Sequence, residues 1–322
     1  MSEREGSISD APVLVTGGAG FIGAHIVRGL LARGHQVRVL DDLSSGNLDN
    51  LKDTPDADVV IGDFCEADVT RKALDGVEVV YHIGADPSVP RSVEDPRRAH
   101  EINATGTLIL LNEARAAGVE RVVYASTSAV YGDADIFPTH EEAEMKPVSP
   151  YGAAKLAGEL YCRSFTRVYG FPTVSLRYFN VYGPGQPPDS YYVVPQFVRA
   201  LFSGEPANIE GDGSQTRDFV FVDDVVQATL KAGAAGPVAF GGAYNVGSGH
   251  IISILQMLDM LKDITGGHEP AIRSQPPRVG DVHDTHANLE ASARDLGYKP
   301  EFDLERGLRA TVDWLASVTS GV

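Results

Sequence analysis

In SPYGAAK, residues 149–155, a tyrosine stands four positions ahead of a lysine at what reads as the start of a helix. Side chains at that spacing share one helix face. Tyr151 and Lys155 read either as a proton-transfer pair or as two surface residues at helical spacing, and the pair alone does not decide. A phenol near pKa 10 is a poor base at neutral pH; a neighbouring ammonium favours its phenolate.

A second stretch, TGGAGFIG at 16–23, places glycines at 17, 20 and 23 between an apolar run and an amphipathic one. Gly17 permits a tight turn, Gly20 lets backbone approach a pyrophosphate, and Gly23 lets a helix pack on a sheet. The helix start then offers free N–H groups to an anion. Asp41, closing VRVLD, is placed to bond an adenosine ribose diol and to repel a 2′-phosphate, which favours NAD over NADP. Asp42 reads equally as a surface-turn residue. Asp63, ending a third apolar run, is either an adenine contact or a plain strand-end aspartate.

These residues need a scaffold, and the chain supplies one. Apolar runs at 12–16, 36–41, 56–63, 78–85, 120–126 and 172–178 read as strands, with helices between them that include 97–117 and the Tyr151 segment to about 169. That alternation predicts parallel βαβ units in a doubly wound, Rossmann-type α/β sheet. After residue 179 the rhythm breaks into a Pro/Gly/Tyr-rich loop, a helix at 193–203, and short strands near 207–210 and 218–222. A helix from Asp223 and the strand 243–247 read as a return to the first domain. Asp223 and Asp224 read as helix capping. The expected division is a dinucleotide-binding domain at 11–178 with a return near 219–247, and a smaller α/β substrate-binding lobe from 179–218 and 248–318. Residues 1–10 are expected to be disordered.

The bulk numbers narrow the function. Hydrophobic residues at 43% and charged ones at 22% describe an ordinary globular protein. A formal net charge of −17 argues against a nucleic-acid or anionic-membrane surface. No apolar run approaches the length of a membrane span and no leader is evident, so a cytoplasmic protein is expected, with Cys65 and Cys162 as reduced core residues. HDTH at 283–286 carries two histidines three apart, but in a proline-rich segment without a third ligand. No metal is expected.

In chain order the motifs are TGGAGFIG, LDDLSSGN, GDF, HIGADPSVPRS, NATGT, ASTSAVYG, SPYGAAK, RYFNVYGPGQ, GDGSQTRDF, YNVG and PPRVGD. From about residue 12 to 318 the chain resembles the extended short-chain dehydrogenase/reductase family, and within it the nucleotide-sugar 4-epimerases. The resemblance implies NAD contacts at Gly17, Gly20, Phe21, Ile22, Gly23, Asp41, Asp42, Ser45, Gly46, Asp63, Phe64, Ile83, Gly84, Ala85, Asn103, Ser126, Tyr151, Lys155, Tyr178 and Val181. It implies catalysis by Thr127, Tyr151 and Lys155. It implies UDP-sugar contacts at Ser88, Arg91, Thr127, Ser128, Tyr151, Asn180, Val194, Arg217, Arg278, Asp281 and Thr285.

The implied reaction has no net redox change. Tyr151 takes the proton of the sugar 4-hydroxyl, hydride passes from C4 to NAD, the flat 4-keto sugar turns over, and hydride returns to the other face. Related 4,6-dehydratases carry an Asp-Glu pair where Ser128 and Ala129 stand, and related decarboxylases a glutamate at the place of Ala129. Relatives acting on UDP-glucuronate have a threonine in place of Asn180 and an arginine in place of Gly185. Thr285 falls at a gatekeeper position where a small residue leaves room for an N-acetyl group. The resemblance therefore implies a 4-epimerase of UDP-glucose/UDP-galactose and of the UDP-N-acetylhexosamines, with another UDP-sugar reaction as the alternative. It also implies a homodimer through residues 97–117 and 150–169. A non-catalytic nucleotide-binding protein is opposed by the presence of Thr127, Tyr151 and Lys155 together.

Overall fold

The computed structural model describes residues 11–266, 270–276 and 278–319; the first ten residues, expected to be disordered, lie outside them. Twelve strands run in chain order among the described residues. They are β1 (Val13–Thr16), β2 (Val37–Asp41), β3 (Asp58–Ile61), β4 (Val79–His82), β5 (Arg121–Thr127) and β6 (Thr173–Tyr178). Then come β7 (Asn180–Tyr182), β8 (Ala207–Glu210), β9 (Thr216–Phe221), β10 (Ala243–Val246), β11 (Ile251–Ser253) and β12 (Ile272–Gln275).

The helices before β7 are α1 (Phe21–Leu31), α2 (Ala67–Ala73), α3 (Val89–Glu94), α4 (Pro96–His100), α5 (Thr107–Ala116) and α6 (Pro150–Tyr169). After it come α7 (Val193–Ser203), α8 (Val222–Gly233), α9 (Ile254–Thr265), α10 (Glu290–Leu296) and α11 (Leu304–Thr319).

Seven strands form one parallel sheet in the order β10-β6-β5-β4-β1-β2-β3. Its central strands are nearly continuous apolar runs because helices cover both faces; Val13, Leu14 and Val15 are all buried. One face packs Ile26, Val27 and Leu30 of α1 with Val225 and Leu230 of α8. The other packs Leu110 and Leu111 of α5 with Cys162 and Phe165 of α6. The order reverses between β1 and β4, which opens a crevice at the carboxyl ends of the strands.

A three-stranded sheet, β11-β9-β7, and a two-stranded one, β12-β8, build the second body. It has its own core of Phe197, Leu201, Ile209, Met257, Leu261 and Leu308.

The structure departs from the sequence reading at several points. The run 97–117 is not one α-helix, because a π-helical turn at Glu101–Gly106 lies between α4 and α5. There the Thr107 hydroxyl donates to the Asn103 carbonyl at 2.8 Å, a local bond that competes with the regular ladder. SVPRS, within the HIGADPSVPRS motif, is helical, since Ser88 caps α3 by accepting from the Arg91 N–H at 3.2 Å and Pro90 suits its first turn.

The expected loop after 179 begins with β7, and Phe219–Phe221, expected in the return segment, ends β9 beside it. The return itself is made by α8 and β10. Asp224 does not cap its own helix; its carboxylate accepts from the Glu301 and Phe302 N–H groups at 2.7 and 3.2 Å and ties down the segment before α11.

Candidate active site

One cavity of about 840 Å³ runs from the glycine turn to the second body. Gly17 sits at φ +66°, and a Cβ there would fall 2.7 Å from the backbone of Gly84, so β1 and β4 can close on each other only with glycine. A Cβ on Gly23 would lie 2.0 Å from the Gly17 carbonyl oxygen, which fixes how closely α1 approaches the turn. No side chain caps α1, so its first N–H groups face the cavity bare. A Cβ on Gly20 would meet only the Gly17 oxygen within 4 Å, at 3.2 Å. This cradle suits a pyrophosphate.

Asp41 accepts from the Ala19 N–H and the Leu43 N–H, each at 2.9 Å. Burial raises its carboxyl pKa against those two bonds. Its remaining lone pairs, with Asp42, Ser45 and Asp63, line the adenosine end that the sequence reading assigns to NAD. Two predicted cofactor residues do not reach the cavity wall. Gly46 lies behind Asp41, where a Cβ would stand 2.8 Å from its Oδ1. Asn103 is buried and clamps the following turn, exchanging 3.1 Å hydrogen bonds with the N–H and carbonyl of Asp86. The other predicted cofactor and substrate residues all line the cavity.

The chemistry centres on the first turns of α6. Ser149 caps it, accepting from the Gly152 N–H at 3.1 Å, and Pro150 occupies its first position. Tyr151 and Lys155 then both reach the cavity, as their spacing requires. Desolvation raises the Tyr151 phenol pKa, while the Thr127 hydroxyl hydrogen-bonded to it pulls the other way. Lys155 is 2% exposed, with its ammonium 4.2 Å from the centre of the Tyr124 ring. Burial brings its pKa down to about 7. His82, behind it, bridges Thr16 at 2.7 Å and Thr107 at 3.1 Å and is held neutral, its pKa pulled down to about 3 by burial.

Beneath the wall is a network that the motif reading missed. Ser126 donates to Glu159 at 2.8 Å, and Arg177 holds the same carboxylate through 3.0 and 2.5 Å bonds. Arg177 also donates to the Tyr131 hydroxyl at 2.8 Å, which in turn donates to Asn245 at 2.6 Å. Glu159 falls one helical turn beyond Lys155, so extending the Tyr151–Lys155 period by four residues would have found it.

At the far end, residues distant in sequence meet. The Thr285 hydroxyl donates to the Asn180 side chain at 3.4 Å and accepts from the Asp218 N–H at 3.2 Å. Arg217 pairs with Asp281 at 3.1 Å, and Arg278 pairs with Glu210. Tyr191 and Tyr192, stacked with ring centres 4.7 Å apart, line the cavity as well. Neither the two tyrosines nor Glu210 carries a motif signal. On the near rim the Ser88 hydroxyl is used by the helix cap, and Arg91 donates to Asp86 at 2.7 Å.

His283 and His286 turn to different partners, Asp284 at 2.8 Å and the Gly249 carbonyl at 3.1 Å. Among the described residues no group of three or more metal-ligating side chains gathers, and no helix is long and apolar enough to cross a membrane.

A glycine turn at the switch point of a parallel sheet, with Tyr151 and Lys155 on the same cavity, defines a dinucleotide-dependent enzyme of the Rossmann type. The chain belongs to the NAD dependent epimerase/dehydratase family, whose model matches residues 13–247, and its cofactor is NAD. It is 40% identical over 310 residues to a UDP-glucose 4-epimerase of Mycolicibacterium smegmatis, covering 94% of this chain and 97% of that one.

Among solved structures it is similar to a UDP-N-acetylglucosamine 4-epimerase from Methanobrevibacter ruminantium in complex with UDP-N-acetylmuramic acid. That match has a TM-score of 0.90 and 35% identity, over 97% of this chain and 100% of the other. It is also similar to a dTDP-glucose 4,6-dehydratase from Streptomyces venezuelae with NAD bound, with a TM-score of 0.90 and 35% identity, over 96% and 98%.

Proposed function

We propose that the chain is a UDP-sugar 4-epimerase that interconverts gluco and galacto forms, acting on UDP-glucose/UDP-galactose and on UDP-N-acetylglucosamine/UDP-N-acetylgalactosamine. The observation that carries this reading is Thr127, Tyr151 and Lys155 gathered on one cavity wall, with Ser128 and Ala129 where a dehydratase needs acids. A dehydratase must draw a proton from C5, and positions 128 and 129 offer no carboxylate to take it.

NAD, when bound, supplies reversible hydride acceptance. The chain's residues do the rest. Tyr151 exchanges a proton with the sugar 4-hydroxyl, and Thr127 holds that hydroxyl. Lys155, one turn on, favours the phenolate with its charge. The glycine turn and the start of α1 hold the cofactor's pyrophosphate, and Asp41 its ribose. Arg217 and Arg278 face the substrate's diphosphate. A carboxylated sugar fits less well, because Asn180 and Gly185 stand where relatives acting on UDP-glucuronate carry a threonine and an arginine.

The reading extends to organisation. The large sheet with α8 and β10 is the NAD-binding domain, and the body built on the two small sheets is the substrate lobe. The protein works in the cytoplasm as a homodimer paired through 97–117 and 150–169. Leu160, Tyr161 and Val168 of α6 are exposed apolar side chains available for that contact.

Product analysis by NMR after incubation of the purified protein, without added NAD, with UDP-glucose and separately with UDP-N-acetylglucosamine tests the function. Conversion of either to its galacto epimer is expected. Failure of both even with NAD supplied would remove the substrate assignment.

A further inference from the structure

We propose that Glu210 is a built-in competitor for the substrate's diphosphate: it pairs with Arg278 in the diphosphate's place and so weakens nucleotide binding. The inference rests on the nucleoside-diphosphate-sugar reading given above.

The two arginines at this end of the cavity are held differently. Arg217 has a side chain only 8% exposed and donates to the carbonyls of Thr216, His283 and Val282 at 3.0, 2.6 and 2.7 Å, besides its 3.1 Å pair with Asp281. Backbone fixes it in place. Arg278 instead lies three residues past β12 and pairs with the side chain of Glu210, the last residue of β8. Its guanidinium carbon stands 4.9 Å from the centre of the Tyr191 ring. Both partners line the cavity, and their side chains are 26% and 31% exposed, so the pair is open to whatever enters.

The register explains why the two residues meet. Strands β8 and β12 run parallel with Glu210 opposite Gln275, which brings Arg278, three residues on, within reach of the Glu210 side chain. The arrangement is therefore a consequence of the strand pairing.

Counting charges gives the effect. Arg217, Arg278, Asp281 and Glu210 sum to zero, so this end offers an entering diphosphate no net positive charge. A guanidinium fork serves a carboxylate or a phosphate with the same geometry. When Arg278 turns to the phosphate, Glu210 loses its partner and is left beside an anion. The apparent affinity falls by the fraction of time that Arg278 is held away. Product leaves faster for the same reason.

The test is calorimetric titration of UDP into the purified enzyme with its cofactor, for wild type, Glu210→Gln, Arg278→Gln and the double variant. Glu210→Gln is expected to tighten UDP by up to roughly fivefold, the upper end for a partly exposed ion pair. In the Arg278→Gln background the same change is expected to have a smaller effect, since only the relief of charge repulsion remains. Glu210→Ala, with the same expectation, serves should Glu210→Gln not fold. Weaker or unchanged UDP binding in Glu210→Gln would overturn the inference, since Glu210 would then be orienting Arg278 rather than competing for it. A wild type that binds neither UDP nor dTDP would remove the nucleotide-sugar reading itself and this inference with it. UDP binding indifferent to Glu210 would remove the inference alone.

Discussion

Ser126 and Glu159 are joined by a 2.8 Å hydrogen bond directly beneath the cavity wall that carries Thr127, and Arg177 clamps the same carboxylate from the neighbouring strand. A buried pair of this kind is costly to break from one side. Glu159→Ala leaves the Arg177 guanidinium buried and is expected to destabilise the fold by about 3–5 kcal/mol, read as a shift of the urea midpoint. Ser126→Ala, which removes only one bond to the carboxylate, is expected to cost about 1 kcal/mol. Equal effects of the two would refute the clamp.

Tyr151→Phe keeps the ring and removes the hydroxyl. Turnover is expected to fall by about 10³-fold or more, while bound NAD, released by denaturation and quantified by chromatography, stays at the wild-type level. Retained turnover would show that Tyr151 is not the proton carrier.

Thr285→Tyr fills the space beside Asn180. The kcat/KM for UDP-N-acetylglucosamine is expected to fall at least about 100-fold relative to that for UDP-glucose. Parallel losses on both sugars would mean that Thr285 does not face the 2-substituent.

His82 titrates near pH 6.5 when unfolded and only near 3 when folded. Between those values the unfolded chain binds the extra proton. Stability is therefore present above pH 6.5 and is lost as pH falls from 6.5 toward 3, at up to about 1.4 kcal/mol per pH unit from this residue. Denaturant titrations across that window should show a shallower slope in His82→Gln; an unchanged slope would place the ionisation elsewhere.

Much of the large sheet was legible because its strands are buried on both faces and read as apolar runs, as in VLVT and RVVYAST. The glycine turn and the Tyr151–Lys155 spacing were legible because local geometry alone dictates them. The second body was harder. The pairing of β8 with β12 joins Glu210 to Gln275 across more than sixty residues, and nothing local announces it. β7 and β11 are three residues each, too short to show a period. Tyr191, Tyr192 and Glu210 enter the site only through that long-range packing. Asn103 is the converse case: its motif is visible, but nothing local announces that the π-turn carrying it brings its amide to Asp86.

Strand β10 reaches the large sheet only after the chain has passed through β7, α7, β8 and β9 of the second body, and it pairs along Ser175–Tyr178 of β6. Cutting the chain after residue 178 would thus yield no self-sufficient dinucleotide-binding fragment. It would uncover the backbone amides and carbonyls of β6, a strand buried along its whole length, as a bare apolar edge. Such an edge recruits other strands. The fragment's expected fate is aggregation, and the late-returning β10 acts as a covalently attached guard against it.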